Sequence, residues 1–165
     1  MRALAALALA LMLPACGLQP LYSGGSGGGV AQALAGVEVA PIPGRNGWLV
    51  RNALNDRIAP AADGATRYRL EIELDDKIEG FGVRRDDSIT RERRTLRARY
   101  QLVDLASGSV LVDATAGSDA GIDVVQSEYA TIAAENTALE RLADNVADKI
   151  VARLALYAQR RADGQ

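Results

Sequence analysis

From Tyr68 to Asp75 the chain alternates strictly: Tyr68, Leu70, Ile72 and Leu74 are apolar, and Arg69, Glu71, Glu73 and Asp75 between them are charged. Successive side chains of a strand point to opposite faces of a sheet, so this segment buries one face and wets the other. The strand is expected over Arg67 to Glu79. Thr90 to Asp104 repeats the pattern, with Leu96, Ala98, Tyr100 and Leu102 on the buried face. Ser109 to Gly117 then offers Val110, Val112, Ala114 and Ala116 after a turn at Ala106-Ser107-Gly108.

A sheet with one wet face needs cover on the other. Two segments have helical spacing. Asn46 to Ala59 places Val50, Ala53, Leu54 and Ile58 on one face and stops at Pro60. Ser127 to Arg160 carries Ile132, Leu139, Leu142, Val146, Ile150, Leu154 and Tyr157 at three- and four-residue steps. A short strand around Gly36 to Ile42, with Val37 and Val39 flanking Glu38, precedes the first helix. The order β-α-β-β-β-α predicts an α+β fold. It is a two-layer sandwich, with two helices on one face of a four-stranded mixed sheet. The first strand pairs parallel across its helix and the others form antiparallel hairpins.

Arginines crowd the central hairpin. Arg84, Arg85, Arg91, Arg93, Arg94, Arg97 and Arg99 fall within residues 84–99. A register in which paired numbers sum to 170 matches the apolar residues, setting Leu70 against Tyr100 and Leu74 against Leu96. On the wet face it sets Glu71 against Arg99, Glu73 against Arg97 and Glu79 against Arg91, pairs of about 0–1 kcal/mol each. Arg93 then opposes Lys77, and Arg84 and Arg85 sit at the tip beside Asp86 and Asp87. The cationic excess at this end of the hairpin, with Arg93, Arg84 and Arg85 uncompensated and Arg91 beside them, suits a phosphate or carboxylate ligand.

The N-terminus gives the address. Met1-Arg2, the apolar run Ala3 to Leu13, and Pro14-Ala15 before Cys16 have the shape of a secretory signal. The run is shorter than the ~18–20 residues a spanning helix needs. Leu13-Pro14-Ala15-Cys16-Gly17 looks like a bacterial lipobox, with Pro14 an uncommon occupant. Cys16 is the only Cys, so an internal disulfide is impossible and lipidation accounts for it. Two acyl chains or more give a stable anchor. Gly17 in place of Asp favours the outer membrane by resemblance to proteobacterial lipoproteins. The expected division is 1–15 signal peptide, 16–35 lipidated N-terminus with its Gly/Ser tether, 36–161 one α/β domain, and 162–165 tail.

Other chemistry is thinly provided. The chain has no His, which removes Ser-His-Asp and Cys-His catalysis and most zinc sites, so no catalytic or metal residue and no cofactor is expected. Asp75-Asp76 and Asp86-Asp87 are carboxylate pairs at a strand end and a turn, where solvated structural roles are the simpler reading. The glycines at 24–29 lack a following Lys-Ser/Thr, so they do not form a phosphate-binding loop. A pI near 5.2 argues against a nucleic-acid partner.

Several of these segments resemble one family. Cys16-Gly17-Leu18-Gln19-Pro20-Leu21-Tyr22 is similar to the mature start of the lipopolysaccharide-assembly lipoproteins of the LptE family, as found in alphaproteobacteria. Thr90-Arg91-Glu92-Arg93 looks like that family's Thr-Arg segment. Ser127, Tyr129-Ala130-Thr131, Ala134-Glu135, Ala138, Arg141, Ala147-Asp148 and Ile150 follow its helix pattern, while Ile122-Asp123-Val124-Val125-Gln126 departs from it. The resemblance implies two helices on a four-stranded sheet and no covalent chemistry. It also implies a lipid-anchored, outer-membrane partner that plugs the β-barrel LptD and binds lipopolysaccharide. The rival is a periplasm-facing auxiliary lipoprotein of a lipid transporter, acting through protein contacts alone.

Overall fold

The computed structural model describes residues 34–58, 64–83 and 89–162. The elements run β1 (Val37–Val39), α1 (Gly44–Asn55), β2 (Tyr68–Val83), β3 (Ile89–Asp104), β4 (Val110–Asp123) and α2 (Glu128–Ala162). The sheet order is β1-β2-β3-β4, with β1 parallel to β2 and the other neighbours antiparallel. Both helices lie on one face of this mixed sheet: α2 runs along β4 and β3, and α1 packs beside it over β1 and the start of β2. The expected α+β sandwich and its element order are therefore present.

The core is the apolar face read from the alternation, closed by the helices. Leu70, Leu96, Ala98, Tyr100 and Leu102 from the sheet meet Val50 and Leu54 of α1 and Leu142, Val146, Ile150, Val151 and Leu154 of α2. Ile132, expected in that stripe, is instead 47 % exposed. The first turns of α2 precede the region where α1 packs beside it, so the stripe loses one of its two covers there. Ser127 starts the helix, its Oγ accepting the Ala130 N–H at 3.4 Å.

Entry into α1 depends on one glycine. A Cβ on Gly47 would lie 2.5 Å from the Ile42 carbonyl oxygen, so the chain folds back against the helix only because that atom is missing. Arg57, just past the helix, donates from Nε to Asp148 at 2.7 Å and from Nη1 to the Ala53 carbonyl at 2.6 Å, tying α1 to α2.

Strand ends differ from expectation: β2 runs on to Val83, four residues past Glu79. β4 continues to Asp123, six residues past Gly117, because Ser118, Ala120 and Ile122 keep facing the helix layer while Asp119, Gly121 and Asp123 face out. The small side chains hide this alternation from a hydrophobic pattern. Val110 is half exposed at the start of the same strand, beside a register shift between Leu102 and Val103.

The register also differs. Pairing numbers across β2 and β3 sum to 172: Leu70 opposes Leu102, Ile72 opposes Tyr100, and Leu74 opposes Ala98. A slip of two residues keeps every side chain on its face, so period-two alternation cannot distinguish sums of 170 and 172. In this register Arg94 opposes Ile78 and reaches diagonally to Asp76. Its Nε and Nη2 donate to the two carboxylate oxygens at 2.9 and 2.6 Å, and Nη1 donates to the Glu135 carbonyl of α2 at 3.0 Å. The two side chains are only 12 % and 14 % exposed.

Candidate functional site

The face of the sheet away from the helices is charged in rows. β2 contributes Glu71, Glu73, Asp75 and Glu79 with Lys77 among them; β3 contributes Arg91, Arg93, Arg97 and Arg99; β4 contributes Asp113, Asp119 and Asp123. A basic strand thus runs between two acidic ones. Arg99 opposes Glu73 and donates to Asp113 at 3.1 Å, and Gln101 adds a bond to the same carboxylate at 2.9 Å. The hydrogen bond from Arg99, with help from Gln101, holds the Asp113 carboxyl below its ordinary pKa.

The observed register redistributes the charge at the hairpin end. Arg93 opposes Glu79 and not Lys77, which pairs within its own strand with Asp75 at 2.9 Å. Arg91 opposes Phe81 and reaches across to Asp123 at 3.0 Å. Arg97 opposes Asp75 and Gly117, and its side chain lies over that glycine, with Cγ 3.2 Å from where a Cβ would stand. The expected pairs Glu71–Arg99, Glu73–Arg97 and Glu79–Arg91 are not the ones formed. The cationic remainder is smaller than the slipped register implied.

Arg93 makes no ion pair among the described residues, and its guanidinium stands 5.3 Å from the centre of the Phe81 ring. An exposed cation–π contact of this kind contributes about 0.5–1 kcal/mol and leaves the guanidinium donors free. Arg91 stands beside it, 64 % exposed despite its partner. The structure thus brings Arg91 and Arg93 together on the wet face. Arg84 and Arg85 lie outside the described residues, as do Cys16 and the tether. Phe81 was not picked out from the sequence. It sits two residues after Glu79, on the same parity, and only the correct register places it under an arginine.

The carboxylate pair Asp75-Asp76 is split between faces, Asp75 outward with Lys77 and Asp76 inward with Arg94, so the two cannot share a proton or a metal.

Comparison with known proteins follows from this geometry. The family model for LptE, lipopolysaccharide-assembly, matches residues 34–154, nearly the whole described domain. The chain belongs to the LptE family. Among solved structures, this LptE-family chain is similar to a proposed lipoprotein of Caulobacter crescentus CB15, with 27 % identity and a TM-score of 0.66 over 79 % of this chain and 96 % of that one. It shares its fold with lipoprotein B of Nitrosomonas europaea, at 10 % identity and a TM-score of 0.60, covering 76 % of this chain and 85 % of that one. Rare lipoprotein B of Shewanella oneidensis gives 10 % identity and a TM-score of 0.58, covering 78 % and 98 %. No curated protein matches the sequence. The LptE match assigns the chain to lipopolysaccharide assembly at the envelope, and the layered fold is common to these lipoproteins.

Proposed function

We propose that this chain is an outer-membrane lipoprotein, anchored through Cys16, that partners the β-barrel LptD and binds lipopolysaccharide during its assembly. The observation that carries this reading is the family match over residues 34–154. Residues 1–15 would be removed as a signal, and 16–35 would tether the domain to the leaflet. The role is binding and gating, with no bond made or broken by the protein.

The ligand contact is proposed at the hairpin end. Lipid A and the inner-core sugars carry phosphates and carboxylates, which guanidinium groups bind through paired, charge-assisted hydrogen bonds. Arg93, standing over the Phe81 ring with free donors, and the exposed Arg91 supply two such groups, and Arg84 and Arg85 adjoin them in sequence.

Two measurements test this. Affinity purification of the tagged chain from its own membranes should bring down a large β-barrel; recovery of an inner-membrane or periplasmic transport complex instead would favour the auxiliary-lipoprotein reading. Arg93→Gln should weaken binding of purified lipopolysaccharide several-fold, more at low ionic strength than at high. Glutamine is preferred to glutamate, because Glu79 opposes this position and a new carboxylate would add repulsion unrelated to the ligand. Unchanged binding by Arg93→Gln together with Arg91→Gln would remove the hairpin from the ligand site.

A further inference from the structure

At the end of the sandwich opposite the hairpin tip, the last turns of α2 pass over the start of β2 and the end of β3. A cavity of about 250 Å³ opens there, walled by Leu34, Val37, Tyr68, Leu102, Leu154 and Ala158, with Tyr157 and Arg161 also lining it. A second space of about 640 Å³, bounded by Leu111, Arg160 and the same Tyr157 and Arg161, adjoins it. An apolar chamber therefore shares its border with two guanidinium groups, and no described carboxylate lines either space. Arg160 uses Nε on the Leu156 carbonyl at 3.3 Å, which leaves its terminal nitrogens available. Asp104 lies near enough to feel Arg161, but its carboxylate already accepts N–H groups from Ala106 and Ser107 at 2.8 and 3.1 Å.

We propose that this cleft takes one anionic phospholipid of the membrane leaflet, an acyl chain entering the Leu34–Leu102–Leu154 cavity and the phosphate resting against Arg160 and Arg161. An apolar chamber with cations at its mouth is complementary to an amphiphile of that charge. Placement supports the same occupant. Leu34 is both a wall of the cavity and the first described residue, and it is the described residue nearest to Cys16 in the sequence. The far end of β2, at Val83, is ~50 Å away along the strand. If Cys16 is lipidated as proposed, the cleft is nearer along the chain to the anchor than the hairpin is, which favours a leaflet lipid as its occupant.

The test uses residues 17–165, which lack the anchor but contain the whole core cluster from Leu34 to Ala155. Amide chemical shifts would be followed while titrating dihexanoyl phosphatidylglycerol below its micelle concentration, with dihexanoyl phosphatidylcholine as the uncharged counterpart. The expected result is saturable shifts confined to residues 34–37 and 154–161, at least tenfold tighter for the glycerol lipid. Arg160→Glu with Arg161→Glu should weaken that binding at least tenfold, and Ala158→Trp, which narrows the chamber, should weaken both lipids. Arg93→Gln should leave the titration unchanged, which separates failure here from failure of the hairpin site. Equal response to both lipids, an unaltered response in the Arg160/Arg161 variant, or no response would overturn the proposal. So would a response that appears only once residues 17–33 are removed, since the chain's own segment would then be the occupant. Displacement of the probe from the cleft by purified lipopolysaccharide would likewise overturn the leaflet assignment.

Discussion

Gly47 and the Asp76–Arg94 pair are the residues whose replacement says most about the fold. Alanine is the better helix former by about 1 kcal/mol, so an unconstrained Gly47→Ala would stabilise α1. Here the new Cβ would meet the Ile42 backbone at 2.5 Å, which cannot rotate away. Loss of stability of about 1–3 kcal/mol is expected, seen as a lower midpoint in urea, and a gain would mean that the 42–47 turn is looser than described. For Asp76–Arg94, truncating one partner strands a mostly buried charge. Arg94→Ala should cost about 3 kcal/mol, and Asp76→Asn with Arg94→Ala should recover part of it. A loss in the double variant equal to the sum of the two single losses would show that the pair is not coupled. Neither role was legible beforehand. Gly47 reads as a mild defect in a helix, and Arg94 is one of seven arginines within residues 84–99, with nothing in the pattern to name Asp76 as its partner.

Among elements, β2 and β3 show how far alternation reaches and where it stops. Which residues are buried on each strand was legible, because period two assigns faces. Their partners were not, because a slip of two leaves the faces intact. The two registers are separated by a crosslink. Cysteines at Lys77 and Thr95, opposed in the structure, should oxidise to a disulfide, since directly opposed residues hold their Cβ atoms ~4.5–5.5 Å apart. Preferential bonding of Lys77→Cys to Arg93→Cys would restore the sum of 170. The long helix was legible through Leu139, Leu142, Val146, Ile150 and Leu154, all buried. The last third of β4 was not, because alanine, serine and glycine carry too little contrast between its faces. At the ligand site the arginines were legible as a cluster. Their individual states depended on register, which is why Phe81 emerged only from the structure.

For the molecule as a whole, acid is the most informative perturbation. Asp113 is held below its ordinary pKa first by Arg99, and Asp104 by the Ser107 and Ala106 N–H groups of the β3–β4 turn. A carboxylate with a depressed folded pKa contributes stability above its unfolded value and loses it as pH falls through the folded one. The thermal midpoint should therefore stay level from pH 7 to about 5 and fall below about pH 4. Asp104→Ala should lower the plateau and flatten the acid limb; an identical limb in that variant would place the acid sensitivity elsewhere. A quieter consequence attaches to the brevity of β1. It pairs with β2 only as far as Leu70, so from Glu71 onward that border of the sheet has no described neighbour. Such a border is a template on which another chain could crystallise into a longer sheet. Glu71, Glu73, Asp75 and Glu79 stand along it, so two copies meeting there would confront matching rows of negative charge. The acidic strand thus helps keep neighbouring copies of the chain apart.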